Sequence, residues 1–361
     1  MGTNGANAYY HSSNQSTTAA STQFYVNQEG NPNLQSEKAK TWTGGVVLSR
    51  LSDNALLRDF TASIDYWRID IRNAIGLDNT DYANFQCYGG APVTDAAGAA
   101  ARAASTACQN VNRDLGTGLQ NSALLVYGNQ GTISTSGIDV QLNWMARFDD
   151  LGLHFIPGAL TFSSQDSFLN FYKTKQSPAS FDVVTDWKGT LGPTLTGTNP
   201  GAYSYRLFTS IGWMMPRFNV DLRWRFLPSV EPAAVATQKA IIKNNASVSA
   251  GGAGQLLGYT PTTVLSVPAW SAFDLSFNWN INKVLQLRGG VNNLFNKEPA
   301  ITGASAGYPV GTNLAGVCTG YGPGCRNPAS YSLPVSGQGT TSAGFYDVYG
   351  RAYFLGVKAS F

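Results

Sequence analysis

The chain closes on Arg351-Ala-Tyr-Phe-Leu-Gly-Val-Lys-Ala-Ser-Phe361. Counted back from Phe361, the positions Ala359, Val357, Leu355 and Tyr353 are apolar or aromatic. Between them stand Ser360, Lys358, Gly356 and Ala352, with Phe354 as the exception. Alternation with a period of two is the pattern of a strand with one greasy face. Two readings are open. One is a soluble edge strand. In the other the greasy face meets lipid and the terminal ring sits in an interfacial aromatic girdle.

Composition favours lipid. Of 361 residues only 12% are charged, 39 are Gly and 12% are aromatic, whereas soluble domains carry about 25% charged residues. No stretch approaches the ~18 uninterrupted apolar residues of a spanning helix. A membrane crossing therefore falls to strands, because only helices and closed barrels satisfy every backbone group in lipid. The net charge of +3 is small, and no basic cluster in the sequence argues for nucleic acid. His11 and His154 are too few and too isolated for a metal site, and no cofactor is expected. The cysteines fall as Cys87 with Cys108 and Cys318 with Cys325, each pair within one loop-like segment. That spacing suits two local disulfides in an oxidising compartment, with free thiols as the alternative.

Residues 1–30 are rich in Asn, Ser, Thr and Gln and read as an irregular surface segment, with no charged and apolar leader after Met1. Strand candidates then follow in hairpins. The first is Thr41 to Arg50. The second is Asp59 to Ile71, with Phe60, Ala62, Ile64 and Tyr66 on one face. Its alternation slips at Trp67, Ile69 and Ile71, through a bulge or because the strand leaves the bilayer. The segment from Gly76 to Gly131 carries an Ala-rich run, Ala96 to Ala104, of helical character. Strand three alternates Ile138, Val140, Leu142 and Trp144 with Asp139, Gln141 and Asn143. Strand four runs from Leu153 to Tyr172 across a Pro157-Gly158 interruption. Strand five carries Tyr203, Tyr205, Leu207, Ile211 and Trp213. Strand six sets Phe218, Val220, Leu222, Trp224 and Phe226 against Asn219, Asp221, Arg223 and Arg225. Strand seven sets Phe273, Leu275, Phe277 and Trp279 against Asp274, Ser276, Asn278 and Asn280. Strand eight runs to Val291, and strand nine is C-terminal.

Connections alternate in length. Those around 51–58, 148–151, 214–217 and 281–283 are short, and those at 72–132, 173–202, 227–268 and 294–347 are long. Short turns on one side and long loops on the other mark a transmembrane antiparallel β-barrel. Trp42, Trp67, Tyr203, Trp213, Trp270, Trp279 and Tyr349 near strand ends read as its aromatic belts. Ile138, Val140, Leu142, Trp144, Val220, Leu222, Trp224, Leu275 and Phe277 read as the lipid face. Asp139, Arg206, Asp221, Arg223, Arg225, Asp274 and Arg288 read as the lumen wall. Nine strands is an odd number, whereas single-chain bacterial barrels have an even one. The expectation is an incomplete barrel, or else an overlooked strand within residues 1–40.

Five segments in order resemble TonB-dependent outer-membrane receptors. Gly30-Asn-Pro-Asn-Leu-Gln-Ser-Glu-Lys38, leading into Thr41-Trp-Thr-Gly-Gly-Val46, is similar to their GNPNLKPEKS segment, with Ser36 in place of a Pro. Asp65-Tyr-Trp-Arg-Ile-Asp-Ile71 and Ser136-Gly-Ile-Asp-Val-Gln-Leu-Asn143 resemble two of their strands. Val291-Asn-Asn-Leu-Phe-Asn-Lys-Glu-Pro299 resembles NLFDKEY, with Pro299 where an aromatic is common. Phe361 completes the set. The resemblance implies the C-terminal portion, about nine strands, of a 22-stranded barrel whose plug domain is absent here. It divides the chain into a loop segment at 1–40 and a barrel region at 41–361.

The activity implied is active import of a scarce ligand (a siderophore, cobalamin or a saccharide) across the bacterial outer membrane. Outer-membrane lipid, the barrel-assembly machinery and an imported small molecule are the implied partners. The TonB energy-coupling complex would be reached only through the missing N-terminal plug. Tyr353, Leu355, Val357 and Phe361 would form the assembly signal. The loop aromatics Tyr82, Phe85, Tyr88, Trp187, Tyr259 and Tyr321 are candidates to stack on a ligand, or else to pack their own loops. No nucleophile–base or paired-carboxylate arrangement supports an enzyme. A small complete porin-like channel is the alternative. On the receptor reading the isolated chain is expected to aggregate and to transport nothing.

Overall fold

Period-two alternation produces long antiparallel strands in the computed structural model. It describes residues 25–54, 56–78, 83, 86–87, 96–113, 120–175, 184–192, 201–244, 256, 259, 261–305, 333–336, 340–342 and 344–360. In chain order the strands are β1 (Tyr25–Glu29), β2 (Lys38–Ser49), β3 (Phe60–Leu77), β4 (Val111–Arg113) and β5 (Gln120–Arg147). There follow β6 (Ala159–Lys175), β7 (Thr185–Asp186), β8 (Tyr205–Met214), β9 (Phe218–Leu227) and β10 (Trp270–Asn280). The last are β11 (Leu285–Asn292), β12 (Ala304–Ser305), β13 (Pro334–Val335) and β14 (Ala352–Ala359). Helices α1 (Ala96–Ala103), α2 (Thr106–Gln109) and α3 (Ala233–Asn244) lie in the long connections.

Nine strands form one continuous ladder in the order β14-β11-β10-β9-β8-β6-β5-β3-β2, so each pairs with its neighbour in the up-and-down sequence. The ladder has two edges, β2 and β14. Register fixes the faces, because residues directly opposite one another share a face. Ile64 pairs with Val140, and Ala62 with Leu142. Ile211 pairs with Leu222, and Leu222 in turn with Leu275. Val220 lies between Trp213 and Phe277. These apolar residues therefore occupy one side of the sheet, and Asp139, Arg206, Asp221, Arg223, Arg225, Asp274 and Arg288 occupy the other. On the apolar side Phe168, Tyr205 and Phe226 stack in series near the long-loop end, with centroids 6.2 and 5.9 Å apart.

The phase slip in β3 comes without a bulge, since register runs unbroken from Phe60 to Arg72. The strand keeps its alternation and the environment changes. Beyond Tyr66 the apolar-side positions become Arg68, Asp70 and Arg72, and the hydrophobic residues move to the polar side. Three other expectations are corrected. Strand four begins at Ala159, because Leu153 and Phe155 lie in the turn after the short 3-10 helix Asp149–Leu151. The segment before Gly131 is strand from Gln120 onward, and within residues 1–30 the stretch Tyr25–Glu29 runs parallel to Ser122–Val126. Trp67, Tyr203 and Trp270 do not belong to an exterior belt. Tyr203 and Trp270 are only 3% and 2% exposed, and Trp67 lies on the polar side. Trp42, Trp213, Trp279 and Tyr349 are exposed.

Two apolar clusters hold the long connections. Leu191, Tyr203, Val230, Val267, Trp270, Ala272, Ala300 and Tyr346 form the larger one and draw three long connections together. Ala83, Cys87, Val111, Ala123 and Leu125 form the smaller, beside the outer half of β5. At the short-turn side, Arg58 and Arg147 share Asp59 and Asp150 and tie the first two short turns together.

Candidate functional site

The polar side of the sheet carries a cleft of about 220 Å³ at its long-loop end. Trp67, Thr135, Ser167, Leu169, Tyr172 and Arg206 line it from the strands, and Gly201-Ala202-Tyr203 closes it from the connection before β8. Each side chain is placed by a local feature. Trp67 lies across Gly137, where an added Cβ would come within 2.5 Å of the indole ring, so only Gly lets the ring lie flat. Between Ser136 and Gly137 the register to β6 shifts, because Leu169 faces Gly137 while Phe171 faces Ser136. Leu169 faces the cleft by simple alternation, and the one-residue bulge after it turns Phe171 to the opposite side and brings Tyr172 into the cleft. Gly201 has φ +65, which Gly adopts without strain, and its carbonyl accepts from Arg206 Nη2 at 3.3 Å. The Arg206 guanidinium stands 5.6 Å from the centre of the Tyr203 ring.

Behind the cleft, the Tyr203 hydroxyl donates to the Tyr346 hydroxyl at 3.3 Å. Burial raises the pKa of both phenols, and the contact with Tyr346 adds to the rise at Tyr203. Both stay neutral hydrogen-bonding groups. A second polar centre sits on β9 and β10. Asp274 accepts from Arg225 Nε at 2.9 Å and Nη2 at 3.0 Å, and from the Asn293 backbone N–H at 2.9 Å. Arg225 Nη2 also lies 3.9 Å from Asp347, so one arginine links the wall to the last long connection.

The motif that begins at Val291 has a structural meaning. Asn293 and Asn296 have φ near +52 and +51, a left-handed conformation that Asn tolerates better than other non-Gly residues. The Asn293 side chain donates to the Lys297 carbonyl and accepts from its N–H, at 2.9 and 2.6 Å. Asn296 Oδ1 accepts from the Arg351 N–H at 3.0 Å and so sets where β14 begins. The segment from Gly30 works alike. Asn129 Oδ1 accepts from the Gln35 N–H at 2.7 Å, and the Asn31 amide donates to the Tyr127 carbonyl at 3.0 Å.

Cys87 and Cys108 form a disulfide, with Cα atoms 4.5 Å apart. Of the candidate stacking residues, Trp187 is 5% exposed and its Nε1 donates to Thr174 Oγ1 at 2.8 Å. It holds its own connection against β6, with little of its ring exposed. Tyr259 is 58% exposed and lies outside the cleft. Tyr82, Phe85, Tyr88, Tyr321, Cys318, Cys325 and Phe361 fall outside the described residues. Tyr353, Leu355 and Val357 share one highly exposed face of the edge strand β14. Reading by loop membership alone overlooked Trp67 and Tyr172 as cleft residues. For Trp67 the signal was the phase slip after Tyr66.

An up-and-down antiparallel sheet with one apolar and one polar side, and with long connections gathered at one end, is the wall of a transmembrane β-barrel. The chain belongs to the family described as TonB dependent receptor-like, beta-barrel, which it matches over residues 3–294. Among solved structures it is similar to a mutant of the ferric enterobactin receptor PfeA of Pseudomonas aeruginosa. There the identity is 16% and the TM-score 0.45, over 92% of this chain and 33% of that one. It is also similar to the siderophore receptor PirA of Acinetobacter baumannii, at 14% identity and TM-score 0.42, with 92% and 33% covered. The FrpB iron transporter of Neisseria meningitidis gives 15% identity and TM-score 0.42, with 94% and 33% covered. The chain thus spans about a third of the length of these solved receptors. No curated protein matches it.

Proposed function

We propose that this chain supplies the C-terminal wall of a TonB-dependent receptor in the bacterial outer membrane, importing a scarce ligand such as a siderophore, cobalamin or a saccharide. The observation that carries the reading is the division of the ladder into an apolar and a polar side, with the cleft on the polar side at the long-loop end. The apolar side meets lipid. The polar side lines the lumen, and the cleft offers an incoming ligand the Trp67 and Tyr172 rings beside the Arg206 guanidinium. Rings and a cation at one lip suit an anionic or ring-bearing solute. Barrel assembly and energy coupling belong to the whole receptor.

The test is uptake by cells that express the receptor carrying this chain. Uptake is expected to require TonB. Arg206→Ala is expected to weaken ligand binding roughly tenfold while the receptor still reaches the outer membrane, as for a lost charged hydrogen-bonding partner. Passage of small solutes at equal rates with and without TonB would instead favour the porin-like channel.

A further inference from the structure

On the apolar side, the ladder continues past its aromatic row without losing register. Tyr66, Ile138, Phe168 and Tyr205 stand side by side across β3, β5, β6 and β8. The next row toward the long connections is Trp42, Arg68, Ser136 and Phe171. Beyond it come Lys40, Asp70, Ser134 and Lys173, and then Lys38, Arg72, Thr132 and Lys175. Strand spacing and pleat make these three rows a patch of roughly 14 by 13 Å. It holds Lys38, Lys40, Arg68, Arg72, Lys173 and Lys175, with Asp70 as the carboxylate among them.

Asp70 is already committed to Arg68 Nε at 2.9 Å and to the Ser134 hydroxyl. Asp186, opposite Lys173 on β7, accepts from the backbone N–H groups of Tyr172 and Lys188 at 3.2 Å. Lys38, Lys40, Arg72, Lys173 and Lys175 are left without an ion pair among the described residues. Two are propped on aromatic rings, Lys40 at 5.1 Å from Trp42 and Lys173 at 5.1 Å from Phe171. These rings hold the ammonium groups at the level where the apolar face ends.

We propose that this lattice of cations seats the phosphate groups of an anionic lipid in the outer leaflet, with the lipid tails lying on the apolar face below it. The occupant follows from continuity and charge. The patch is coplanar with the face that meets lipid and begins one row above its aromatic belt. The arginines of the lumen wall are on the opposite side of the sheet and do not contribute. An anion held here is therefore one whose remaining bulk is apolar and lies alongside the wall. The proposal rests on the membrane placement given above.

The receptor carrying this chain, in zwitterionic detergent, is titrated with phosphatidylglycerol and with phosphatidylcholine, and bound lipid is counted by native mass spectrometry. Phosphatidylglycerol is expected to bind more tightly, with a preference that shrinks as salt rises. Each cation removed is expected to lower its affinity roughly fivefold, so the Lys38→Gln, Lys40→Gln, Lys173→Gln triple variant loses on the order of a hundredfold. The matching Lys→Arg triple variant keeps the affinity, as does Arg217→Gln with Lys283→Gln at the short-turn end. Equal phosphatidylglycerol affinity in the Gln triple variant overturns the proposal. So does full displacement of the lipid by inorganic phosphate at equal concentration, which marks a soluble-anion site. Binding of neither lipid by the wild type would sink the membrane placement itself, whereas phosphatidylcholine binding without a phosphatidylglycerol preference sinks this proposal alone.

Discussion

Asp274 receives two hydrogen bonds from Arg225 and one from the Asn293 backbone, on a side chain that is 11% exposed. Removing it strands a guanidinium on the wall and frees the left-handed turn at Asn293. Asp274→Ala is expected to destabilise the outer mouth by roughly 2–3 kcal/mol. Hydrogen exchange should report it as faster exchange at Asn293 and Lys297, with β9 and β10 unchanged near their short turn. An equal rise along both strands would show that Asp274 supports the whole wall. At this scale the sequence was partly legible. Asp274 and Arg225 were assigned to the correct side by parity alone, since facing follows from counting in twos. Their bond was not legible, because it depends on register between two strands joined by a connection of dozens of residues. The same holds for Trp187, whose place in a long connection was visible and whose hydrogen bond to Thr174 was not.

At the scale of elements, the strands that were easiest to see are those with one uniformly apolar side. In β9 and β10 the expected alternating residues are all within the observed strands. The outer half of β5 escaped notice because Gly128, Asn129 and Gly131 break the alternation, and no apolar stripe is required where a strand has left the lipid. Its order comes instead from lateral partners, namely β1, β4 and the Cys87–Cys108 crosslink that packs with Val111, Ala123 and Leu125. Replacing both cysteines by Ser should therefore loosen this outer region by about 2–4 kcal/mol. Limited proteolysis between β3 and β5 is the measurement. Cleavage there should quicken while the β8–β9 hairpin stays protected. Unchanged cleavage would mean that the apolar cluster alone suffices.

At the scale of the molecule, the assignment of sides makes an asymmetric demand on neighbouring residues. In the assembled receptor, Val220→Arg is expected to cost about 2–4 kcal/mol because it puts a cation on the lipid face, whereas Asp221→Arg changes only the lumen lining. Heat-modifiable mobility on gels, with the amount of receptor in the outer membrane, separates the two. Equal tolerance would reverse the sides. The barrel class and the sorting of connections were legible because both are one-dimensional patterns of hydropathy and length. The cleft was not, because it joins Trp67, Thr135, Tyr172 and Arg206 from β3, β5, β6 and β8 with Tyr203 from the connection before β8. The length of β5 has a consequence of another kind. Its 28 residues would extend roughly 90 Å, and a crossing uses about ten of them, so much of the β3–β5 hairpin stands clear of the bilayer. On the proposed placement, that disulfide-tied mast is the first part of the wall that a large particle approaching from the long-loop side would meet.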